Sequence, residues 1–167
     1  MTTETRPDST RRRIGLVLAV AAAVIVVDQL TKWWAVETLS TRTIDVVWKL
    51  RLILVENRGT AFSLTQSGGP VITLLALAVV AGLLWYSRGV RSRWGLVALG
   101  LVAGGALGNL IDRAFRGDAG FMQGAVIDFI DVQFWPVWNV ADMAVSIGAV
   151  LLVIVLAFSG DGADADG

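Results

Sequence analysis

The chain has 167 residues, of which 55% are apolar and 17% are charged, and its 14 basic residues balance its 14 acidic ones. This composition is too apolar for an ordinary soluble domain, and a net charge of zero supplies no field that would recruit nucleic acid. Cysteine and histidine are absent, which excludes disulfides, thiolate nucleophiles, imidazole bases and the usual zinc ligands. We therefore predict a membrane protein whose chemistry depends on carboxylates, hydroxyls or lysine.

Four apolar stretches are long enough to cross a hydrocarbon core of about 30 Å as helices. They lie at about 14–36, 70–87, 94–111 and 138–158. We predict an all-α membrane protein with four transmembrane helices in one domain, 14–158, between an N-terminal tail at 1–13 and a disordered C-terminal tail at 159–167. The first stretch lacks a clear small-residue cleavage site and is interpreted as a retained helix.

Basic residues beside the helix ends predict the orientation of the chain. Three arginines at 11–13 precede the first helix, and Arg88, Arg91 and Arg93 lie in the short turn between the second and third. Cytoplasmic loops are enriched in Lys and Arg, so both termini and this turn are predicted to be cytoplasmic, although the outer loops also carry basic residues.

The segment between the first and second helices has a β-strand pattern. Residues 44–55 alternate in the manner of a strand, and a glycine-rich turn follows at 67–70. We predict a small extracytoplasmic β-rich segment that rests on the membrane. Five tryptophans lie near this outer boundary, which suits an indole ring: Trp33, Trp34, Trp48, Trp135 and Trp138.

Five acidic residues lie in or beside apolar segments: Asp28, Asp112, Asp128, Asp131 and Asp142. At about 1.5 Å per helical residue, Asp28, Asp112 and Asp142 fall in one layer near the outer surface. An ionisable group at that depth is costly unless it is paired or hydrated, so the layer is a candidate site. Glycines at 100, 104, 105 and 108 predict close packing of the third helix.

Two of these acids have a structural interpretation. Asp28 and Lys32 have the i, i+4 spacing of an ion pair that would hold the first helix in place. Asp112 precedes Arg113 and is interpreted as half of an interfacial ion pair with that arginine.

Asp128 and Asp142 differ because each lies in an apolar run without an adjacent base. Desolvation would raise the pKa of Asp128. If the chain after Asp128 folds back over the outer end of the fourth helix, the two carboxyl groups meet and share a proton. One could then activate water while the other protonates a carbonyl oxygen. Asp131 would replace Asp128 in this pair if the run were helical.

Five short stretches in order resemble the bacterial lipoprotein signal peptidase (signal peptidase II) family: DQLTK at 28–32, NRGTAFS at 57–63, GGALGNLIDR at 104–113, VIDF at 126–129 and NVAD at 139–142. The resemblance covers about residues 14–158. It implies an aspartyl endopeptidase of the bacterial inner membrane. Such an enzyme removes the signal peptide of prolipoproteins just before a diacylglyceryl-modified cysteine, needs no metal or cofactor, and is inhibited by the cyclic peptide globomycin.

The resemblance also assigns roles to residues. It makes Asp128 and Asp142 the catalytic pair, and it gives Asp28, Lys32 and Asp112 a role in supporting the fold. Five further residues would position the substrate backbone or brace the pair: Asn57, Gly59, Asn109, Arg113 and Asn139.

This chain departs from the family pattern at three places. Trp138 replaces a phenylalanine, Thr60 replaces a small apolar residue, and the loop 114–124 is longer than usual.

Two other functions are compatible with the residues. Ser63 and Lys32 could form a Ser/Lys peptidase, which needs no histidine. A small transporter or scaffold could instead use the buried acids to carry protons or ions. Against the transporter, the acids lie in one layer and do not form a relay across the membrane.

Overall fold

The computed structural model describes residues 7–58, 68–116 and 122–160, with the side chains at 7–9, 68–73 and 159–160 outside that description. These residues form four helices and one antiparallel sheet of three strands, in the sheet order β1-β2-β3. The elements in chain order are α1 (Pro7–Leu39), β1 (Ile44–Val47), β2 (Leu50–Asn57), α2 (Gly68–Ser87), α3 (Arg93–Phe115), β3 (Val126–Asp131) and α4 (Val140–Gly160).

All four helices begin at residues other than those predicted, by one or two residues for α2, at Gly68, and α3, at Arg93. Helix α1 begins at Pro7 and not at residue 14, and proline suits the first turn because its missing N–H would have no helical partner there. Helix α4 begins at Val140 and not at 138. Trp138 instead forms a β-bridge with Ile130, so the chain is still extended at that point.

Three of the described helices are long and apolar enough to cross a membrane: Thr10–Leu39, Arg93–Phe115 and Val140–Phe158. The part of α2 whose side chains are described, Leu74–Ser87, is apolar but shorter than these three. Many apolar side chains of α2 and α4, such as Leu74 and Val153, are exposed, as lipid-facing positions would be. Three spans are therefore supported by length and composition, and the fourth remains a prediction.

The sheet includes a strand that the sequence did not predict. The segment between α1 and α2 supplies β1 and β2, and β3 comes from the chain after α3. β3 pairs antiparallel with β2, with Val55 opposite Asp128 and Asn57 opposite Val126. The prediction of a sheet formed only by the first outer segment was therefore incomplete. This pairing places Asp128 beside the end of β2.

Helix α3 packs closely between α1 and α4. A Cβ atom added at Gly104 would lie 2.8 Å from the Ala21 carbonyl oxygen of α1, and one added at Gly148 would lie 2.9 Å from the Ala98 carbonyl oxygen of α3. Contacts of that length leave no room for a side chain. The glycines therefore let the three helices approach closely enough for their polar side chains to meet.

The sheet is held against α1 by a small apolar core. Ala35 and Leu39, both in the last turns of α1, pack with Ile127 and Phe129 of β3. Because successive strand residues face opposite sides, Ile127 and Phe129 point together and Asp128 points away from them. This packing fixes the strand that carries Asp128.

Candidate active site

Asp128 is buried on β3, and both of its carboxylate oxygens accept hydrogen bonds. Its Oδ1 accepts from Asn139 Nδ2 at 2.7 Å, and its Oδ2 accepts from Asn57 Nδ2 at 2.9 Å. Burial raises the pKa of Asp128, and the two hydrogen bonds act against that shift. The position suits the member of a carboxyl pair that holds its proton more tightly than an exposed aspartate does.

Asp142 lies in the first turn of α4, where it forms a reciprocal cap with Asn139. The Asp142 amide donates to Asn139 Oδ1 at 3.0 Å, and the Asn139 amide donates to Asp142 Oδ2 at 3.2 Å. This is the pattern of a capping box, and the first turn of a helix favours negative charge. Asn109 Nδ2 donates to Asp142 Oδ1 at 2.8 Å. The cap and the Asn109 amide together hold the Asp142 carboxyl group in a fixed orientation.

Asn139 links the two carboxyl groups. Its Nδ2 donates to Asp128 Oδ1 and also to Asn109 Oδ1, at 3.1 Å, while its backbone amide donates to Asp142. After burial and its hydrogen bonds, the negative charge of Asp142 also raises the pKa of Asp128. The chain does fold back after β3, and the two predicted carboxyl groups share one hydrogen-bond network.

Asp131 lies outside this network. The run is a strand and not a helix, so residues three apart face opposite sides of the sheet. Arg51 Nε pairs with Asp131 Oδ2 at 2.6 Å, and this hydrogen bond holds the pKa of Asp131 below its ordinary value. Asp131 therefore cannot replace Asp128 in the pair.

A second buried network, centred on Lys32, lies beside the first. Lys32 Nζ lies 2.9 Å from Asp28 Oδ2, 2.8 Å from Asp112 Oδ2 and 2.9 Å from Asn109 Oδ1. The predicted pairing of Asp28 with Lys32 is confirmed. The predicted partner of Asp112 was wrong, because Asp112 pairs with Lys32 and, at 2.7 Å, with Arg116. On a helix Arg116 lies one turn from Asp112, whereas the adjacent Arg113 points elsewhere.

Both acids of the Lys32 network also hold the elements of the pair in place. Asp28 Oδ1 accepts a hydrogen bond from the Ala141 amide at 2.9 Å, and Asp112 Oδ2 accepts one from the Ile127 amide at 3.2 Å. These amides are next in sequence to Asp142 and Asp128. Gly108 makes room for this arrangement, because a Cβ atom there would lie 2.7 Å from Asp28 Oδ2.

Arg113 lies close to the candidate pair without being bonded to it. Its Nη1 donates to the Asn109 carbonyl oxygen at 3.4 Å. Its guanidinium interacts electrostatically with Asp112, Asp128 and Asp142. Arg113 is half-buried, so its remaining N–H groups can reach a bound ligand.

A groove that sequence reasoning missed opens beside Asp142. It has a volume of about 510 Å³, and its lining combines Asp142 and Ser146 with the segment between β3 and α4. Phe134 and Trp135 of that segment are 68% and 64% exposed, which leaves their rings available to a ligand. The aromatic residues near the outer boundary were the only sequence signal for it. The groove brings an apolar surface to one of the two carboxyl groups.

The described ranges contain no group of three or more acidic residues arranged to hold a metal ion. Asp28 and Asp112 are both paired with Lys32.

Comparison with known proteins identifies the family. Residues 20–158 match the family described as Signal peptidase (SPase) II. The chain is 41% identical over 152 residues to the lipoprotein signal peptidase of Mycobacterium leprae, covering 90% of this chain and 75% of that protein. It is 43% identical over 156 residues to that of Mycobacterium avium, covering 92% and 85%. This chain belongs to the signal peptidase II family.

The predicted family is thus confirmed, and the fold agrees with a solved structure. A bacterial membrane enzyme solved by the in meso method at 1.9 Å resolution superposes with a TM-score of 0.73 at 27% identity, covering 85% of this chain and 92% of that one. As a member of the signal peptidase II family, the chain is a peptidase with membrane-spanning helices.

Two site residues predicted for this signal peptidase II family member, Gly59 and Ser63, lie outside the described residues. Asn57 contacts Asp128, Asn109 contacts Asp142, and Asn139 contacts both carboxyl groups. The family departure at Trp138 is visible at the groove. Its indole Nε1 is buried and has no hydrogen-bond partner in the described part of the chain, a donor that phenylalanine would lack.

Proposed function

We propose that this protein is an aspartyl endopeptidase that removes the signal peptide from diacylglyceryl-modified prolipoproteins. It cuts just before the lipidated cysteine, at the outer face of the bacterial inner membrane. The observation that carries this proposal is the network in which Asn139 joins Asp128 to Asp142. The family match and the relatives named lipoprotein signal peptidase support the substrate class.

The two carboxyl groups divide the chemistry by their surroundings. Asp128, whose pKa burial raises, carries the shared proton, and Asp142, in the first turn of α4, is ionised. Asp142 takes a proton from a water molecule as the water oxygen bonds to the scissile carbonyl carbon. Asp128 gives its proton to the carbonyl oxygen, which becomes a hydroxyl of the tetrahedral intermediate.

The second half of the reaction returns both carboxyl groups to their starting protonation states. Asp142 gives its new proton to the amide nitrogen as the carbon–nitrogen bond breaks. Asp128 recovers a proton from one hydroxyl of the intermediate, which leaves a carboxylic acid at the new C-terminus. No metal or cofactor takes part in these steps. Asn57, Gly59 and Arg113 hold the peptide backbone beside the pair, and Asn109 and Asn139 orient the carboxyl groups.

The proposed topology has four transmembrane helices with both termini and the 88–93 turn in the cytoplasm. The domain runs from 14 to 158, with a cytoplasmic tail at 1–13 and a C-terminal tail at 159–167, of which residues 161–167 lie outside the described part of the chain. The three-stranded sheet then lies on the outer side, next to the pair. The substrate enters sideways from the lipid, with its acyl chains still embedded and its peptide in the groove beside Asp142. A globomycin-type cyclic peptide would compete for the same place.

The geometry disfavours the Ser/Lys alternative. The three hydrogen-bond donors of the Lys32 ammonium are all engaged, by Asp28, Asp112 and Asn109, whereas a general base needs a free amine lone pair. Replacing Ser63 with alanine should leave cleavage largely intact. Loss of cleavage in that variant would favour the serine mechanism.

The test of the substrate class compares two precursors that differ only in the diacylglyceryl group, in the same detergent or bilayer. The lipid anchor is worth about 0.8 kcal/mol per buried methylene and holds the scissile bond at the pair, so the unlipidated precursor should be cut far more slowly. Equal rates would replace the lipoprotein assignment with that of a general intramembrane aspartyl peptidase.

A further inference from the structure

Lys32 is joined to the candidate pair through a single side chain. Its Nζ donates to Asn109 Oδ1 at 2.9 Å, and the other end of the same amide, Nδ2, donates to Asp142 Oδ1 at 2.8 Å. No other described basic side chain reaches a carboxyl group of the pair through one amide. The path from the ammonium to Asp142 is therefore short and continuous.

The chemistry of the two ends fixes the orientation of the Asn109 amide. An ammonium group can only donate hydrogen bonds, so the amide atom that faces Lys32 must be the oxygen. The nitrogen then faces Asp142, and an ionised carboxylate can only accept. Asn139 Nδ2 donates to the same Asn109 oxygen, in agreement with this orientation. The charge of Lys32 polarises the Asn109 amide and so strengthens the hydrogen bond from that amide to Asp142.

We propose that Lys32 is a positioning residue of the reaction: through Asn109 it orients Asp142 and places a positive charge beside the pair. This inference rests on the proposed function and extends the role of Lys32 beyond supporting the fold. The charge of Lys32 also acts on the other member of the pair. Burial is the main influence on the pKa of Asp128 and raises it, and the Lys32 charge acts in the opposite direction.

Other charged groups near Lys32 do not replace it. On its own helix it faces Asp28, and α3 presents Asp112, which Arg116 also neutralises. Arg113 interacts electrostatically with both members of the pair but donates to the backbone carbonyl of Asn109 and not to its side chain. Removal of the Lys32 charge would therefore leave the Asn109 amide without a cationic partner among the described residues.

The experiment measures the pH dependence of cleavage of a lipidated precursor by the purified full-length protein. A positive charge near the pair favours loss of its first proton, so without the Lys32 charge that proton should be lost at a higher pH. For Lys32→Met the acid limb of the profile should therefore move to higher pH, by about 0.5 to 1 unit for a charge acting across one amide. Lys32→Arg retains the charge and should keep the limb near its wild-type position.

Two further variants separate positioning from folding. Asp28→Asn with Lys32→Met removes one charge of each sign, so it lacks the unpaired carboxylate of the single variant, and it should show the same shifted limb. Arg116→Met is the matched control, because it removes the other cation of the network without touching Asn109. It should lower stability and leave the limb in place.

The outcomes distinguish this inference from the proposed function. If the wild type fails to cut the precursor, or Asp142→Asn cuts it normally, the proposed function fails. If those two behave as expected and the double variant has the wild-type limb, Lys32 serves only the fold and the positioning role is overturned. A shift in Arg116→Met equal to that in the double variant would also overturn it.

Discussion

Replacement of Asp28 with asparagine should lower the free energy of unfolding by about 3 kcal/mol. The side chains of Asp28 and Lys32 are both 0% exposed and lie 2.9 Å apart. Breaking a buried ion pair costs about 3–5 kcal/mol because one charge is left without its partner. Lys32 retains Asp112, and the new amide oxygen can still accept from the Ala141 amide, so the lower end of that range applies.

Asp28→Ala should cost about 1–3 kcal/mol more, because the Ala141 amide would also lose its acceptor. The matched control is Glu56→Gln. It breaks an ion pair to Arg58 whose side chains are 59% and 64% exposed, and such pairs contribute at most about 1 kcal/mol.

The assay is thermal or chemical unfolding of the purified variants in detergent, together with turnover per folded molecule. The expected order of stability is wild type, Glu56→Gln, Asp28→Asn and Asp28→Ala. If Asp28→Asn were no less stable than Glu56→Gln, the network around Lys32 would not hold the fold together. A fully stable but inactive Asp28→Asn protein would instead place Asp28 among the residues that act on the substrate.

Three further predictions concern pH, the groove and topology. Arg51 lowers the pKa of Asp131, so their pairing stabilises the protein above about pH 4, and this stabilisation is lost as pH falls through the lowered folded-state pKa of Asp131. The difference in melting temperature between wild type and Arg51→Gln should therefore shrink below about pH 4, and a difference that stays constant with pH would contradict this. Trp135→Ser should raise KM roughly five- to tenfold with little change in kcat, because it removes apolar contact area; an unchanged KM would exclude the groove from substrate binding. The chain has no cysteine, so a single introduced cysteine reports on one position. Trp48→Cys, on the outer side, should react with a membrane-impermeant thiol reagent in intact cells, whereas Gly89→Cys, in the cytoplasmic turn, should react only after permeabilisation. The reverse pattern would show that the topology is inverted.

The sequence predicted the helices and the main acidic residues because their signals are local. Apolar runs and basic flanks predict the helices, and the i, i+4 spacing of Asp28 and Lys32 was enough to predict their ion pair. The sequence also indicates both carboxyl groups of the candidate pair, because each lies in an apolar run without an adjacent base. Such patterns need only neighbours within a few residues along the chain.

The features that the sequence did not predict depend on pairing between distant segments. β3 pairs with β2 across the whole of α2 and α3, and no local pattern specifies that register. The partners of Asp112 are Arg116, which directly follows α3, and Lys32 on α1, so adjacency to Arg113 was misleading. The role of Asn139 as a cap that bridges both carboxyl groups depends on where α4 begins, and helix ends are the least certain feature of a sequence prediction.

Cleavage of a lipidated precursor by Asp128→Asn and Asp142→Asn tests the central claim most directly. An amide can still form hydrogen bonds but cannot transfer a proton, so each variant should insert, fold and fail to release the signal peptide, a loss of at least about a thousandfold. The product is measured by mass spectrometry, which also gives the position of the cut, and folding is checked by the melting temperature. Turnover within a few-fold of wild type by either folded variant would contradict the assignment of these two carboxyl groups as the catalytic pair.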